Sequence, residues 1–150
     1  TAKILKALNI EPILQISNIN IPKLVASELN VDIDLFKNGE IASLFKLNCE
    51  WLNRLIKVKN IASLEEVINI VPKTIKIELE KLLKKANEVE YSNIIIAPLY
   101  YGSLRYYDGI YYRVINDNLT LCKGGMYSSE GMCSLGFALY TDNLLKILED

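Results

Sequence analysis

The sequence contains no histidine. That absence excludes Ser-His-Asp and Cys-His catalysis, His-ligated zinc, and imidazole acid–base chemistry near neutral pH. Any chemistry must come from carboxylates, tyrosines, lysines or arginines. Arginine is scarce too, appearing only at Arg54, Arg105 and Arg113. With 17 basic and 18 acidic side chains, a net charge of −1 and no basic stripe, nucleic-acid binding is not expected. The 3 cysteines, Cys49, Cys122 and Cys133, are odd in number and lack C-x-x-C spacing, so they read as reduced thiols of a cytoplasmic protein. No apolar run approaches the roughly 20 residues of a membrane span, and no signal-peptide pattern opens the chain.

What is present fits one globular domain: 150 residues, 51% hydrophobic and 23% charged. Residues 13–19 alternate as a strand. Pro22 sits in the first turn of a helix running to Leu29, with Ile21, Leu24, Val25 and Leu29 on one face. Residues 38–57 form one or two helices, on which Leu44, Leu47, Trp51, Leu52 and Leu55 recur at helical spacing. Trp51 on that stripe reads as core. Ser63 and Glu66 match an S-x-x-E capping box opening a helix through Ile70. Pro72 opens the next helix, to about Glu88, with Ile75, Leu79, Leu82, Leu83 and Ala86 facing one way and a solvated face that includes Glu80 and Lys84.

After Ser92 the period becomes strand-like. Residues 94–97 are a short apolar run. Residues 106–115 form a strand ending at Asn116-Asp117-Asn118, a turn, and residues 119–123 return antiparallel to it. Gly124-Gly125 then breaks that strand. Residues 133–140 form another strand, and Thr141 caps a final helix over 142–148.

The stretch 104–148 holds most of the tyrosines and is the only part with the look of a site. Gly124-Gly125 lets backbone approach a ligand, or makes a bulge or turn. Tyr106, Tyr107, Tyr111, Tyr112 and Tyr127 supply ring surface with hydroxyls. Strand alternation allows only about half of them to line one pocket. Asp108-Gly109 is either a tight turn or a bulge in a continuous strand. Arg105 and Arg113 either flank an anion or are simply solvated.

The runs YYDGIYYRV, KGGMY and LGFALYTDNLLKIL, in that order, resemble the last three motifs of the histidyl-tRNA synthetase catalytic domain. Those motifs read R-G-L-D-Y-Y-x-G, G-G-R-Y-D and G-F-A-x-x-x-x-R-L. Upstream, LNIEPILQISNINIPKLVASELNV resembles the strand and helix after the second class II motif, in the form found in the synthetase-like regulatory subunit of ATP phosphoribosyltransferase. The resemblance covers nearly the whole chain as the C-terminal half of a longer protein. It implies an α+β fold: part of the antiparallel sheet of a class II aminoacyl-tRNA synthetase with a helical insertion. Residues 1–22 would be the strand and helix entry, 23–92 the insertion, and 93–150 the antiparallel strands and final motif helix.

On this resemblance Tyr107 and Tyr127 match the tyrosines lining the histidine pocket, and Gly124, Gly125, Gly109 and Gly136 are kept. Gly102, Met126 and Asn143 stand where the family has nucleotide-handling arginines, and Ser128 replaces an aspartate. Charge-assisted contacts contribute about 1.5–3 kcal/mol each, and losing one transition-state donor costs about a hundred- to a thousand-fold in rate. Three such losses imply no adenylate formation. The resemblance therefore implies a regulatory paralogue with no catalytic residue, no metal and no cofactor, and with Tyr107, Tyr127, Gly124 and Gly125 as histidine-binding positions. Its partner would be the short-form catalytic subunit of ATP phosphoribosyltransferase, with histidine as effector, in a homo-oligomer within a hetero-oligomer. The role implied is support of activity and histidine feedback in the first step of histidine biosynthesis. The alternatives are a fragment of a histidyl-tRNA synthetase and a ligand-free interaction module derived from one.

Overall fold

The computed structural model describes residues 2–7, 9–101 and 107–149. Gly102, Arg105 and Tyr106 therefore lie outside the described residues. After a short helix α1 (Ala2–Ala7), strand β1 (Ile13–Asn18) leads into α2 (Asn20–Leu29). Pro22 falls in the first turn of α2, where its missing N–H has no intrahelical partner to lose. Asn30, at φ +53°, closes the helix by donating to the carbonyls of Ala26 and Ser27.

Five more helices follow: α3 (Asp34–Lys37), α4 (Ile41–Phe45), α5 (Glu50–Ile56), α6 (Ile61–Ile68) and α7 (Lys73–Glu88). The break between α4 and α5 comes at Asn48, which adopts φ +51°. It leaves Leu47 off the buried stripe and 39% exposed, a departure from the expected helical row. Trp51 is half-buried against the core, as read. The α6 cap also differs from expectation. Asn60, not Ser63, is the N-cap: its side-chain oxygen accepts from the Ser63 N–H at 2.8 Å, and Ser63 Oγ accepts from the Asn60 N–H at 3.2 Å. Asparagine is as good a cap as serine, and the helix it opens buries Leu64, Val67 and Ile68 on one face. Pro72 precedes α7 as expected, but the ion pairs on that helix are Glu78–Lys81 and Lys85–Glu88 rather than Glu80–Lys84.

Strand β2 (Ile94–Ile96) returns beside β1. Strands β3 (Tyr107–Asn116), β4 (Leu119–Ser129) and β5 (Met132–Leu139) complete the sheet, and α8 (Thr141–Glu149) closes the chain. The spatial order is β2-β1-β3-β4-β5. β1 and β2 pair in parallel, with Leu14 opposite Ile94, while the other three pairings are antiparallel. The α+β class stands and the sheet is mixed. A parallel neighbour needs a long crossover, which the whole helical segment between β1 and β2 supplies.

Those helices pack on one face of the sheet, here called the back. Ile16 and Ile96 meet Ile21, Val25, Leu52, Leu55, Leu64, Ile75, Leu79 and Leu82, all fully buried or nearly so. Each such side chain contributes about 1.5–3 kcal/mol by leaving water. A second cluster (Ile10, Val114, Leu121, Cys122 and Leu144) seats α8 on the sheet.

The first hairpin turns where the sequence says it should, at Asn116-Asp117-Asn118. Asp117, at φ +52°, makes the β3–β4 turn, and Glu130 and Gly131, at φ +52° and +80°, make the β4–β5 turn. One strand expectation fails: β4 runs unbroken through Gly124-Gly125. The pair does not interrupt the ladder; it makes room beside it. A Cβ on Gly124 would lie 2.6 Å from the ring end of Tyr112, and one on Gly125 would lie 2.6 Å from Tyr111 Cβ.

Candidate functional site, a tyrosine-lined face of the sheet

Register decides which side chains meet. Tyr107 lies opposite Tyr127, and Tyr111 opposite Gly125. Between these two pairings β3 advances four residues and β4 only two, so β3 carries a bulge. The bulge contains Gly109 at φ +93°, a backbone conformation that favours glycine. This settles Asp108-Gly109 as a bulge in a continuous strand. Because the excess is even, Tyr107 and Tyr111 stay on the same face.

That face is the front, opposite the helices. On it the Tyr107 and Tyr111 rings stack nearly parallel, 6.0 Å apart. Tyr111 Oη donates to the Tyr100 carbonyl at 2.8 Å, and the two rings are 5.9 Å apart. The Arg113 guanidinium sits 4.1 Å from the Tyr100 ring centroid, within cation–π range. Its Nε and Nη2 both donate to Gln15 Oε1, at 3.2 and 2.9 Å. Of the two arginines read as flanking an anion, Arg113 is thus engaged with Gln15 and Tyr100; Arg105 lies outside the described residues.

The floor between the tyrosines is bare. Gly125 and Gly136 are paired directly across β4 and β5. Tyr107 Cδ1 lies 2.9 Å from where a Cβ on Gly125 would be, and Tyr127 Cε1 lies 3.0 Å from the equivalent point on Gly136. Two glycines therefore seat two rings, and a side chain at either would displace one.

Two further members of this face were not singled out in the sequence. Gln15 lies opposite Arg113 and Ser17 opposite Tyr111, and both are buried. Among the described residues, Gln15 Nε2 and Ser17 Oγ are buried without a hydrogen-bond partner. An unmet buried polar atom costs about 1–3 kcal/mol, and such atoms are rare without a purpose. The signal was present in ILQISN, where Gln15 and Ser17 alternate with Leu14 and Ile16.

The structure divides the remaining candidates. Tyr107, Tyr111, Tyr127 and Gly125 share the front face, while Gly124 faces the back, beneath Tyr112. Met126, opposite Leu135, also faces the back, away from Tyr127. Met126 therefore does not stand where a front-face ligand would be gripped. Asn143, on α8, donates through Nδ2 to the Thr120 carbonyl at 2.8 Å and ties the helix to β4.

Among the described residues, no three or more of His, Cys, Asp and Glu gather as a metal site, and no helix is long and apolar enough to cross a membrane.

No family model matches the chain. Two curated proteins do. The ATP phosphoribosyltransferase regulatory subunit of Wolinella succinogenes is 39% identical over 144 residues, covering 96% of this chain and 50% of that protein. That of Helicobacter hepaticus is 38% identical over 145 residues, covering 97% and 51%. The chain thus spans about half the length of the curated relatives it matches. Among solved structures, an ATP phosphoribosyltransferase regulatory subunit/histidyl-tRNA synthetase from Bacillus halodurans superposes with a TM-score of 0.71 at 17% identity, over 98% of this chain and 48% of that one. A histidyl-tRNA synthetase from Nostoc sp. PCC 7120 gives 0.70 at 16% identity, over 99% and 44%. At those identities the structures establish the fold alone, a class II synthetase-like one. By sequence, over nearly all of its residues, this chain is similar to two ATP phosphoribosyltransferase regulatory subunits, matching about half of their length.

Proposed function

We infer that the chain belongs to a non-catalytic, cytoplasmic regulatory subunit of ATP phosphoribosyltransferase, acting in histidine biosynthesis. The observation that carries this reading is the 38–39% identity to two subunits of that name along nearly the whole chain. Phosphoribosyl transfer would be done by a short-form catalytic partner, with this subunit required for activity and for feedback by histidine, in a homo-oligomer within a hetero-oligomer. In support, the chain has no histidine for acid–base work, and Asn143 is held by a backbone carbonyl.

Histidine would bind on the front face, between Tyr107 and Tyr127 over Gly125, with the backbone at Gly124-Gly125 lining the site. The front-face chemistry suits an amino acid. Aromatic rings cover an imidazole, and the buried donors Gln15 Nε2 and Ser17 Oγ are available to a carboxylate or carbonyl oxygen. For feedback, histidine must bind the less active state of the assembly more tightly.

The test mixes the protein with a short-form catalytic subunit at micromolar concentrations. Turnover is expected to rise and to become histidine-sensitive; unchanged turnover would sink the reading. Histidine-dependent ATP–pyrophosphate exchange would instead favour a synthetase fragment.

A further inference from the structure

Two basic side chains stand on the five strands, Arg113 and Lys123, and they lie directly opposite each other in the β3–β4 pairing. Residues opposite each other in an antiparallel ladder share a face, with Cβ atoms about 5 Å apart. Arg113 is on the front with Gln15, so Lys123 is there too. Like charges so placed destabilise a sheet. Nothing on the strands relieves them. The single carboxylate they carry is Asp108, in the β3 bulge, and among the described residues neither cation has an ion-pair partner. On its other side Lys123 lies opposite Ala138 of β5.

The surroundings of this pair are fixed in place. Arg113 is held by Gln15 Oε1 and against the Tyr100 ring, and these contacts leave part of its fork of N–H donors unused. In the same cross-strand row Gln15, only 8% exposed, keeps its amide nitrogen unmet. Ser17 Oγ, one row along on the same face, is likewise buried and unmet. Adjacent cations and buried donors without an acceptor describe a place for a negatively charged group.

Charge selects the anion. A carboxylate brings a single negative charge and leaves the pair half balanced, whereas a phosphate group brings about −1.5 to −2 at neutral pH. Phosphate oxygens also suit a guanidinium fork, with an ammonium as a second, freer point charge. A free amino acid fits this row less well, because both cations repel its ammonium group. The tyrosine-lined floor begins one row along, at Gly125, about 7 Å from Lys123 along β4.

We propose that Arg113 and Lys123, with the amide nitrogen of Gln15, form a subsite for a phosphate group, inorganic or carried on a small ligand, beside the tyrosine-lined floor. Lys123 determines its specificity, since Arg113 is already committed in part to Gln15 and Tyr100. An amide nitrogen carries a pair of N–H groups, so Gln15 can serve this anion and an oxygen over the tyrosines together. The subsite stands whether or not histidine binds over Gly125.

The test follows urea unfolding of the chain in inorganic phosphate, in acetate and in chloride, at matched ionic strength near neutral pH. Phosphate at millimolar concentrations is expected to raise the midpoint, since a ligand bound only by the folded state stabilises it. Acetate should need about tenfold higher concentration or more for the same effect, and so should phosphate acting on Lys123→Gln. Lys123→Arg should keep the response. Without phosphate, Lys123→Gln should unfold at a higher urea concentration than the unaltered chain, because the like-charge contact is gone. A lysine that is merely solvated would give neither effect. No histidine is present, so failure here is separate from failure of the histidine reading. The proposal is overturned by a phosphate response no larger than that in chloride, by acetate acting as well as phosphate, by a response that survives Lys123→Gln, or by earlier unfolding of Lys123→Gln without phosphate.

Discussion

Arg113 grips Gln15 by a single oxygen: two guanidinium nitrogens donate to Gln15 Oε1, and the amide nitrogen of Gln15 is left buried and unmet. The orientation is fixed chemically, because a flipped amide would set donor against donor. Arg113 is in turn held on the Tyr100 ring, which Tyr111 contacts and hydrogen-bonds through the Tyr100 carbonyl. The front face is therefore one connected assembly, from β1 across β3 to the tyrosines.

If that unmet donor serves the ligand, Gln15→Ala should weaken histidine binding about 10- to 150-fold, the range for one hydrogen bond to a charged group at about 1.5–3 kcal/mol. Calorimetric titration checks it. Tyr107→Phe and Tyr127→Phe should also weaken binding. Equal affinity in all three variants would place the ligand elsewhere.

The adjacent glycines of β4 should respond differently to the same change. Gly125→Ala puts a methyl group 2.6 Å from Tyr111 Cβ and 2.9 Å from the Ile110 carbonyl oxygen, neither of which can swing away. A loss of about 1–3 kcal/mol is expected in urea unfolding. Gly124→Ala meets only the far end of the Tyr112 ring, which rotates more cheaply, so its loss should be the smaller.

Acid should loosen the joint between sheet and helices. Asn18, fully buried at the end of β1, donates to the Glu78 carboxylate at 2.9 Å, and Lys81 does so at 2.7 Å. Burial alone would push the Glu78 carboxyl up, but the hydrogen bonds from Lys81 and Asn18, with the charge of Lys81, outweigh it and hold the group below its ordinary value. A lowered folded-state value means that the unfolded chain takes the proton first. Its stabilisation is complete above the unfolded value and is lost as pH falls through the folded one. The urea midpoint should therefore drop on acidification below the ordinary glutamate range, and part of that drop should vanish in Glu78→Gln.

Core and cap changes calibrate the helical segment. Leu79→Ala, at a fully buried position under the sheet, should cost about 2–5 kcal/mol. Asn60→Ala should cost about 1 kcal/mol by removing the N-cap of α6, whereas Glu66→Ala, outside that cap, should cost little. Urea denaturation distinguishes the two.

Local chemistry alone determined much of this molecule. Proline before α7, the Asp117 turn, and the shift from a helical period to a strand period after Ser92 all mark elements found in the structure, because each is a property of neighbouring residues. Tertiary structure decided the rest. Alternation says that Met126 and Tyr127 face opposite ways, but only the helices packed on Ile16 and Ile96 say which way is the back. The parallel pairing of β2 depends on a crossover of some seventy residues, and the two glycines of β4 depend on the tyrosine side chains of β3 across the hairpin; neither leaves a local trace. The site's polar half, Gln15 with Arg113, joins residues 98 apart. Periodicity can assign side chains to faces, but a pocket exists only once distant strands fix their register and one face is taken up by the core.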